Sequence, residues 1–148
     1  MRIVSKTDIG LSRRSNQDSY ATGELPGGVA WAVVCDGMGG ANGGNVASAA
    51  AVKVISEHIS SSYRAGMSSN SVRNMLESAI TAANVSVYEM SQQSDDLAGM
   101  GTTVVAAVIT DGVAHIAHAG DSRAYLFSTE KIEKITLEHS YVQSLIED

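Results

Sequence analysis

Cysteine, proline and aromatic residues are scarce in this 148-residue chain, and each scarcity excludes a class of protein. The single cysteine, Cys35, excludes an internal disulfide and a zinc site built from several cysteines, and it fits a reducing compartment. Aromatic residues make up only 5% of the chain, so the core must consist of small aliphatic side chains. Hydrophobic residues nevertheless reach 44%, which excludes global disorder. The length predicts one domain over residues 1–148.

Positive charge is also scarce, because 10 lysines and arginines face 16 acidic residues and the net charge is −6. We therefore expect no nucleic-acid partner, since a whole-surface nucleic-acid binder is normally basic. The N-terminus lacks the apolar region of a signal peptide, and the longest uncharged stretch, residues 37–52, is too rich in glycine and asparagine to span a bilayer. These features predict a cytoplasmic protein without a membrane partner.

The hydrophobic pattern changes from strand-like to helical and back along the chain. It predicts strands over residues 2–7, 18–24, 29–35, 102–110, 113–119 and 124–128, helices over 45–63 and 70–92, and the start of another helix at 138–148. Because the helices are clustered between two groups of strands, we expect an α+β fold with an antiparallel sheet and a helical hairpin.

A glycine-rich segment follows the apolar strand at 29–35, and three common glycine or cysteine motifs can be tested against it. A P-loop requires a lysine, but there is none between Lys6 and Lys53. The dinucleotide-binding pattern fails at Asn42, where it requires glycine. A cysteine phosphatase requires arginine six residues after Cys35, at the position of Ala41. All three sites are therefore excluded.

Carboxylates at strand ends are the remaining candidates for chemistry. Asp36 ends one predicted strand and Asp18 begins the preceding one, so antiparallel pairing could bring them together as oxygen ligands for Mg²⁺ or Mn²⁺. Asp121 lies in a Gly-Asp-Ser connection between two strands. Each of these aspartates also fits an ordinary turn or cap residue. Arg13 could bind a phosphate, but Arg14 is an equal candidate by charge alone.

Six segments occur together in the order and with the spacing typical of one enzyme family. They are residues 7–11 (TDIGL), Arg13 with 16–18 (NQD), 34–40 (VCDGMGG), 99–103 (GMGTT), 118–123 (HAGDSR) and 138–140 (EHS). Each segment alone is a weak signal, whereas the ordered set is very specific. The chain resembles the metal-dependent serine/threonine protein phosphatases of the PP2C (PPM) family in its bacterial form.

The resemblance implies an α-β-β-α sandwich with two antiparallel sheets, and a pair of Mn²⁺ or Mg²⁺ ions with a third, weaker site. Asp36 would bridge the two metals, and the Gly37 carbonyl would bind one of them. Asp18 would support the site through metal-bound water, Asp121 would help to hold the third metal, and Arg13 would bind the phosphate. Catalysis, through Asp36 and Asp18, would use a water molecule activated by the two metals. Phosphoserine and phosphothreonine proteins would be the substrates, and a cognate Ser/Thr kinase the partner.

The chain departs from the family in two respects. Gln17 stands where many relatives carry glutamate, and the family's domain is longer, with two further metal-binding aspartate segments. We therefore expect a sandwich that is incomplete on its C-terminal side. The chain would be a fragment of a longer phosphatase, a truncation completed by a second chain, or a phosphopeptide-binding regulatory relic. An interaction module without metal is a further alternative, and Asp36→Ala distinguishes it from a metal enzyme.

Overall fold

The computed structural model describes residues 1–39 and 43–136, and these residues form seven strands, two α-helices and a short 3₁₀ helix at Asp95–Leu97. The strands are β1 (Asp18–Leu25), β2 (Val29–Met38), β3 (Gly101–Thr102), β4 (Val104–Thr110), β5 (Val113–Ala119), β6 (Tyr125–Phe127) and β7 (Ile132–Lys134). The helices are α1 (Gly43–Ser62) and α2 (Ser69–Ser91). The helix predicted at 138–148 lies outside the described residues.

The strands form two antiparallel sheets; the pattern predicts the antiparallel pairing, and the resemblance implies two sheets. The larger sheet has the order β1-β2-β4-β5, with the short β3 paired to the end of β2. Strands β6 and β7 form a separate two-stranded sheet. The hairpin between β4 and β5 turns at Asp111 and Gly112, with φ angles of 52° and 75°, as expected for a two-residue turn that follows the twist of its strands.

The two helices pack against each other and against one face of the larger sheet. Helix α1 contacts β1 and β2, whereas α2 contacts β4 and β5. Ser68 caps α2, because its side chain accepts a hydrogen bond from the Ser71 amide. Between helices and sheet lies an aliphatic core whose fully buried members include Val33, Ile55, Ile59, Val72, Leu76 and Val108. This arrangement confirms the predicted helical hairpin.

Among residues 1–39 and 43–136, no helix is long and apolar enough to cross a membrane.

The opposite face of the larger sheet carries the candidate site. Side chains alternate between the two faces of a strand, so the buried Val33 and Cys35 of β2 face the helices, while Val34 and Asp36 face away. Val34 is accordingly 49% exposed. Asp36 therefore belongs to the sheet face that α1 and α2 do not cover.

The structure divides the predicted strand 102–110 into β3 and β4 at Thr103, and three further expectations about element bounds are wrong. Residues 2–7 form no strand, because no strand within the described ranges pairs with them. Helix α1 begins at Gly43 rather than after Asn45, in a buried position beside the end of β2. Strand β2 does not end at Asp36 but continues to Met38, because its last two residues pair with β3. Tertiary contacts decide all three bounds.

Candidate metal centre

Asp18 and Asp36 lie directly opposite each other on the paired strands β1 and β2. Opposite residues of an antiparallel pair project to the same face, with Cβ atoms about 4.5–5.5 Å apart. The structure thus brings together the two carboxylates that the sequence could only suggest as partners. Asp36 lies within strand β2 and not in a turn. It is therefore not the ordinary turn or cap residue that the sequence also allowed.

The electrostatic environment of Asp36 is unfavourable for its negative charge. Partial burial raises the pKa of Asp36, and the Asp18 carboxyl group raises it further through hydrogen bonding and charge repulsion. The Arg13 guanidinium opposes this rise in pKa, and Asp121 adds to it. Two like charges at such close range favour a bound proton or a bound cation.

Two adjoining cavities meet at Asp36. The first, of about 220 Å³, is lined by Asp8, Asn16 and Asp18 among others, and the second, of about 300 Å³, by Gly37, Thr103 and Asp121 among others. Arg13, Gln17 and Asp36 line both cavities, whereas Arg14 lines neither. The fold therefore distinguishes the two arginines that charge alone could not. Asp8 is a further carboxylate of the first cavity, and the sequence reasoning did not single it out.

Asn16 holds the loop before β1 in place. Its side-chain oxygen accepts a hydrogen bond from the Asp18 amide at 3.0 Å, and its side-chain nitrogen donates to Thr7 Oγ1 at 2.7 Å. The Asp8 carboxylate accepts a hydrogen bond from the Gly10 amide at 2.7 Å. These local bonds fix the segment that carries Arg13 beside the two carboxylates.

Two glycines permit a very close approach between the end of β2 and the start of α1. A Cβ on Gly37 would overlap the Gly44 carbonyl, and a Cβ on Gly44 would overlap the side chain of Gln17. The Gly37 amide donates to the Gln17 carbonyl at 3.0 Å, and Gln17 Nε2 reaches the Gly39 carbonyl at 3.4 Å. Gln17 therefore fills the space between the loop and the helix, a role that its position in the sequence did not suggest.

Thr103 is a further residue of the site that the sequence reasoning did not single out. It lies between β3 and β4 and is 3% exposed. It forms hydrogen bonds with the backbone of Asp36 and with the side chain of Ser122. In the sequence, residue 103 stands out only as a member of the 99–103 segment, one of the six family-like motifs. The motif therefore marks this position, but nothing in the sequence indicates that the Thr103 hydroxyl group contacts Asp36 and Ser122.

The donor set is chemically suited to a hard cation, although it is small. Asp18, Asp36 and Asp121 supply carboxylate oxygens to connected cavities, and oxygen ligands are those that Mg²⁺ and Mn²⁺ prefer. Within residues 1–39 and 43–136, however, no three His, Cys, Asp or Glu side chains gather closely enough to hold a metal by themselves. The opposed Asp18–Asp36 pair therefore fits part of a metal centre.

Cys35 is adjacent to Asp36 in sequence but does not belong to the site. Its side chain is fully buried on the helix-facing side of β2, and this burial raises the pKa of the thiol to about 12. The thiolate is the nucleophilic form of cysteine, and it is not formed at neutral pH with such a pKa.

The sequence profile of protein phosphatase 2C matches residues 12–143, a range that includes Arg13, Asp18, Asp36 and Asp121. The chain belongs to the protein phosphatase 2C family. Its resemblance to bacterial PP2C enzymes is thereby confirmed, and the residues that share the two cavities come from the segments on which that resemblance was based.

Relatives of this PP2C chain include bacterial proteins of known structure. The serine/threonine phosphatase Stp of Listeria monocytogenes is 34% identical over 146 residues, which span 99% of this chain and 58% of Stp. The solved serine/threonine phosphatase of S. agalactiae superimposes with a TM-score of 0.86 at 34% identity, over 96% of this chain and 57% of that one. The catalytic domain of PstP, solved in complex with two manganese ions, gives 0.81 at 31% identity, over 96% and 57%. PstP is a phosphatase of Mycobacterium tuberculosis.

These comparisons confirm the expected α+β PP2C fold. The chain corresponds to part of that fold. It spans about 58% of the length of the curated Listeria relative and a little over half of the solved chains. The sheet that carries Asp18 and Asp36 and the two helices that cover its other face belong to this shared part.

Proposed function

We propose that this chain carries part of the active site of a metal-dependent protein serine/threonine phosphatase, which hydrolyses phosphoserine and phosphothreonine. The observation that carries the proposal is the placement of Asp18 opposite Asp36, with Arg13 lining both adjoining cavities and Asp121 lining the second of them. Membership of the PP2C family supports it, as do the relatives that are named serine/threonine phosphatases.

Mn²⁺ or Mg²⁺ is the cofactor that these residues fit. We assign the first two cation positions to the Asp36 carboxylate and the Gly37 carbonyl with support from Asp18, and a third, weaker position to Asp121. The two manganese ions of PstP favour a dinuclear centre. When bound, such cations supply Lewis acidity and an activated water for displacement at phosphorus.

The chain's own residues contribute charge and orientation. Arg13 presents a planar guanidinium to both cavities, and this group can donate paired hydrogen bonds to two phosphate oxygens. Asp18 and Asp36 hold their negative charges at close range, which creates the electrostatic demand for a cation. No cysteine nucleophile is needed, and Cys35 is buried away from the cavities.

A second candidate is a phosphopeptide-binding or regulatory module without turnover. One observation favours it: the described part of the chain contains no group of three side chains able to hold a metal. A centre with few carboxylate ligands binds divalent cations weakly. In this case Arg13 would still bind phosphate.

Phosphatase activity towards a phosphothreonine peptide distinguishes the two candidates. We would measure phosphate release by the 148-residue chain with Mn²⁺, with a chelator, and with the variants Asp36→Ala and Asp111→Asn. Asp111→Asn is the matched control, since Asp111 lies in an exposed turn with positive φ, a conformation that asparagine tolerates. Turnover that requires Mn²⁺ and Asp36 but not Asp111 would support the phosphatase.

The other results have equally definite meanings. Peptide binding without turnover, weakened by Arg13→Ala, would favour the binding module. The absence of both peptide binding and turnover would refute both candidates. It would favour an interaction module in which the aspartates are structural.

Proteins that carry phosphoserine or phosphothreonine follow as the proposed substrates, and the Ser/Thr kinase that modifies them as the functional partner. The names of the relatives support the class of substrate. We propose the cytoplasm as the location, because the lone Cys35 is buried as a free thiol and fits a reducing compartment.

A further inference from the structure

Thr103 binds both sides of the Asp36 backbone. Its Oγ1 accepts a hydrogen bond from the Asp36 amide at 3.0 Å, and its own amide donates to the Asp36 carbonyl at 2.9 Å. Residue 103 lies in the short break between β3 and β4, so this pair of bonds replaces regular sheet pairing at the aspartate. Asp36 is therefore held by one residue in a fixed backbone position.

The same hydroxyl group also reaches the turn that carries Asp121. Thr103 Oγ1 and Ser122 Oγ are 2.5 Å apart. Because Oγ1 accepts from the Asp36 amide, its own proton remains available for Ser122. The hydroxyl thus links the backbone of one cavity-lining aspartate to the immediate neighbour of another.

Close packing supports this link. Gly120 has a φ of 99°, and a Cβ at this position would overlap the Thr103 methyl group. The turn at 120–122 therefore lies directly against Thr103, and Asp121 shares its cavity with Asp36 and Thr103. Thr103 is 3% exposed, so water cannot readily replace the bonds of its hydroxyl group.

We propose that Thr103 is a positioning residue of the metal centre: its hydroxyl group holds Asp36 and the Asp121 turn in the one arrangement that binds a divalent cation. The inference rests on the proposed function. Residues that orient metal ligands typically change metal affinity by about 10–100-fold when they are lost. We expect a loss of that size although Thr103 carries no charge and offers no metal ligand in this arrangement.

The test compares Thr103→Val, which keeps the β-branched shape and removes the hydroxyl, with Thr103→Ser, which keeps the hydroxyl. Thr110→Val is the matched control, because it makes the same chemical change at the far end of β4. The full 148-residue chain would be labelled with ¹⁵N and titrated with Mn²⁺, and broadening of amide signals near Asp36 would report even weak binding. Hydrogen exchange of the Asp36 amide, measured without metal, would report the bond itself.

We expect Thr103→Val to weaken Mn²⁺ binding by about 10–100-fold and to accelerate exchange of the Asp36 amide. Thr103→Ser should restore both properties, and Thr110→Val should change neither. Urea unfolding of each variant separates this effect from a general loss of stability, since a merely structural role would lower the midpoint without a specific loss of Mn²⁺ affinity.

Two results would overturn the inference in different ways. Mn²⁺ binding that Thr103→Val leaves unchanged would refute the positioning role and leave the proposed metal centre intact. If the unaltered chain shows no broadening near Asp36, or the same broadening in Asp36→Ala, the metal centre itself is refuted, and the role of Thr103 with it.

Discussion

Asp18 and Asp36 are cross-strand neighbours on β1 and β2, and their carboxyl groups lie within hydrogen-bonding reach of each other. Opposite positions with like charges destabilise a sheet unless something neutralises them. The fold therefore retains an unfavourable pair at the edge of two cavities, next to Arg13, which opposes the repulsion only in part. This relationship is the physical basis for the first prediction.

Asp36→Asn should stabilise the metal-free chain at neutral pH. Folding raises the pKa of Asp36 from its usual 3.8, so the charged form is disfavoured in the folded state. The contribution of such a group to the free energy of unfolding is fully present below its pKa in the unfolded chain. It is lost as the pH rises through its pKa in the folded chain. The advantage of the variant should therefore be largest at pH 7 and shrink as pH falls towards 4.

Urea unfolding at several pH values in the presence of a chelator would measure this difference. Asp111→Asn, which neutralises an exposed turn aspartate, serves as the control for the change in net charge. Equal midpoints for Asp36→Asn and the unaltered chain at pH 7 would contradict the like-charge argument.

Arg13→Ala should weaken phosphate binding, whereas Arg14→Ala should not. Only Arg13 lines the cavities that contain Asp36, although the two arginines are adjacent and both are exposed. Loss of a charge-assisted hydrogen bond predicts about a tenfold or greater increase in Kd. Titration of the chain with phosphothreonine in the presence of Mg²⁺, followed by amide chemical shifts, would measure Kd. Equal effects of the two variants would mean that charge alone, and not position, determines binding.

Cys35 should resist alkylation in the folded chain at pH 8. Its pKa of about 12 keeps the thiol protonated, and its side chain is fully buried. Compared with an unfolded thiol of ordinary pKa, the reaction with iodoacetamide should be slower by about a thousandfold. Mass spectrometry of samples quenched over time, with and without urea, gives both rates. Rapid modification without urea would show that this part of the core opens readily.

Gly37→Ala should destabilise the chain far more than Gly44→Ala. A methyl group on Gly37 would overlap the backbone of Gly44, which cannot move without shifting the start of α1. The atoms nearest to a methyl group on Gly44 would be those at the flexible end of Gln17, and alanine favours the helix. Overpacking predicts a loss of about 1–3 kcal/mol for Gly37→Ala. Urea unfolding would measure both variants, and equal losses would contradict the close backbone approach.

The sequence by itself determined the features that depend on neighbouring residues. Helix α2, the strands on either side of the turn at Asp111 and Gly112, and the apolar strand that contains Val33 and Cys35 were all predicted, because helical period, turn chemistry and apolar runs are local properties. The ordered motifs also identified the family, because six segments in a fixed order and spacing are specific even though each alone is weak.

Only the tertiary structure decided which of those residues meet. The register of β1 and β2 places Asp18 opposite Asp36, and the loop before β1 selects Arg13 over Arg14. The contact of Gly37 with Gly44 set the start of α1, and pairing with β3 extended β2 beyond Asp36. Thr103 owes its proposed role to hydrogen bonds with Asp36, 67 positions before it, and with Ser122, 19 positions after it. Such contacts join segments that are distant in the chain, and their geometry depends on packing that no local pattern encodes.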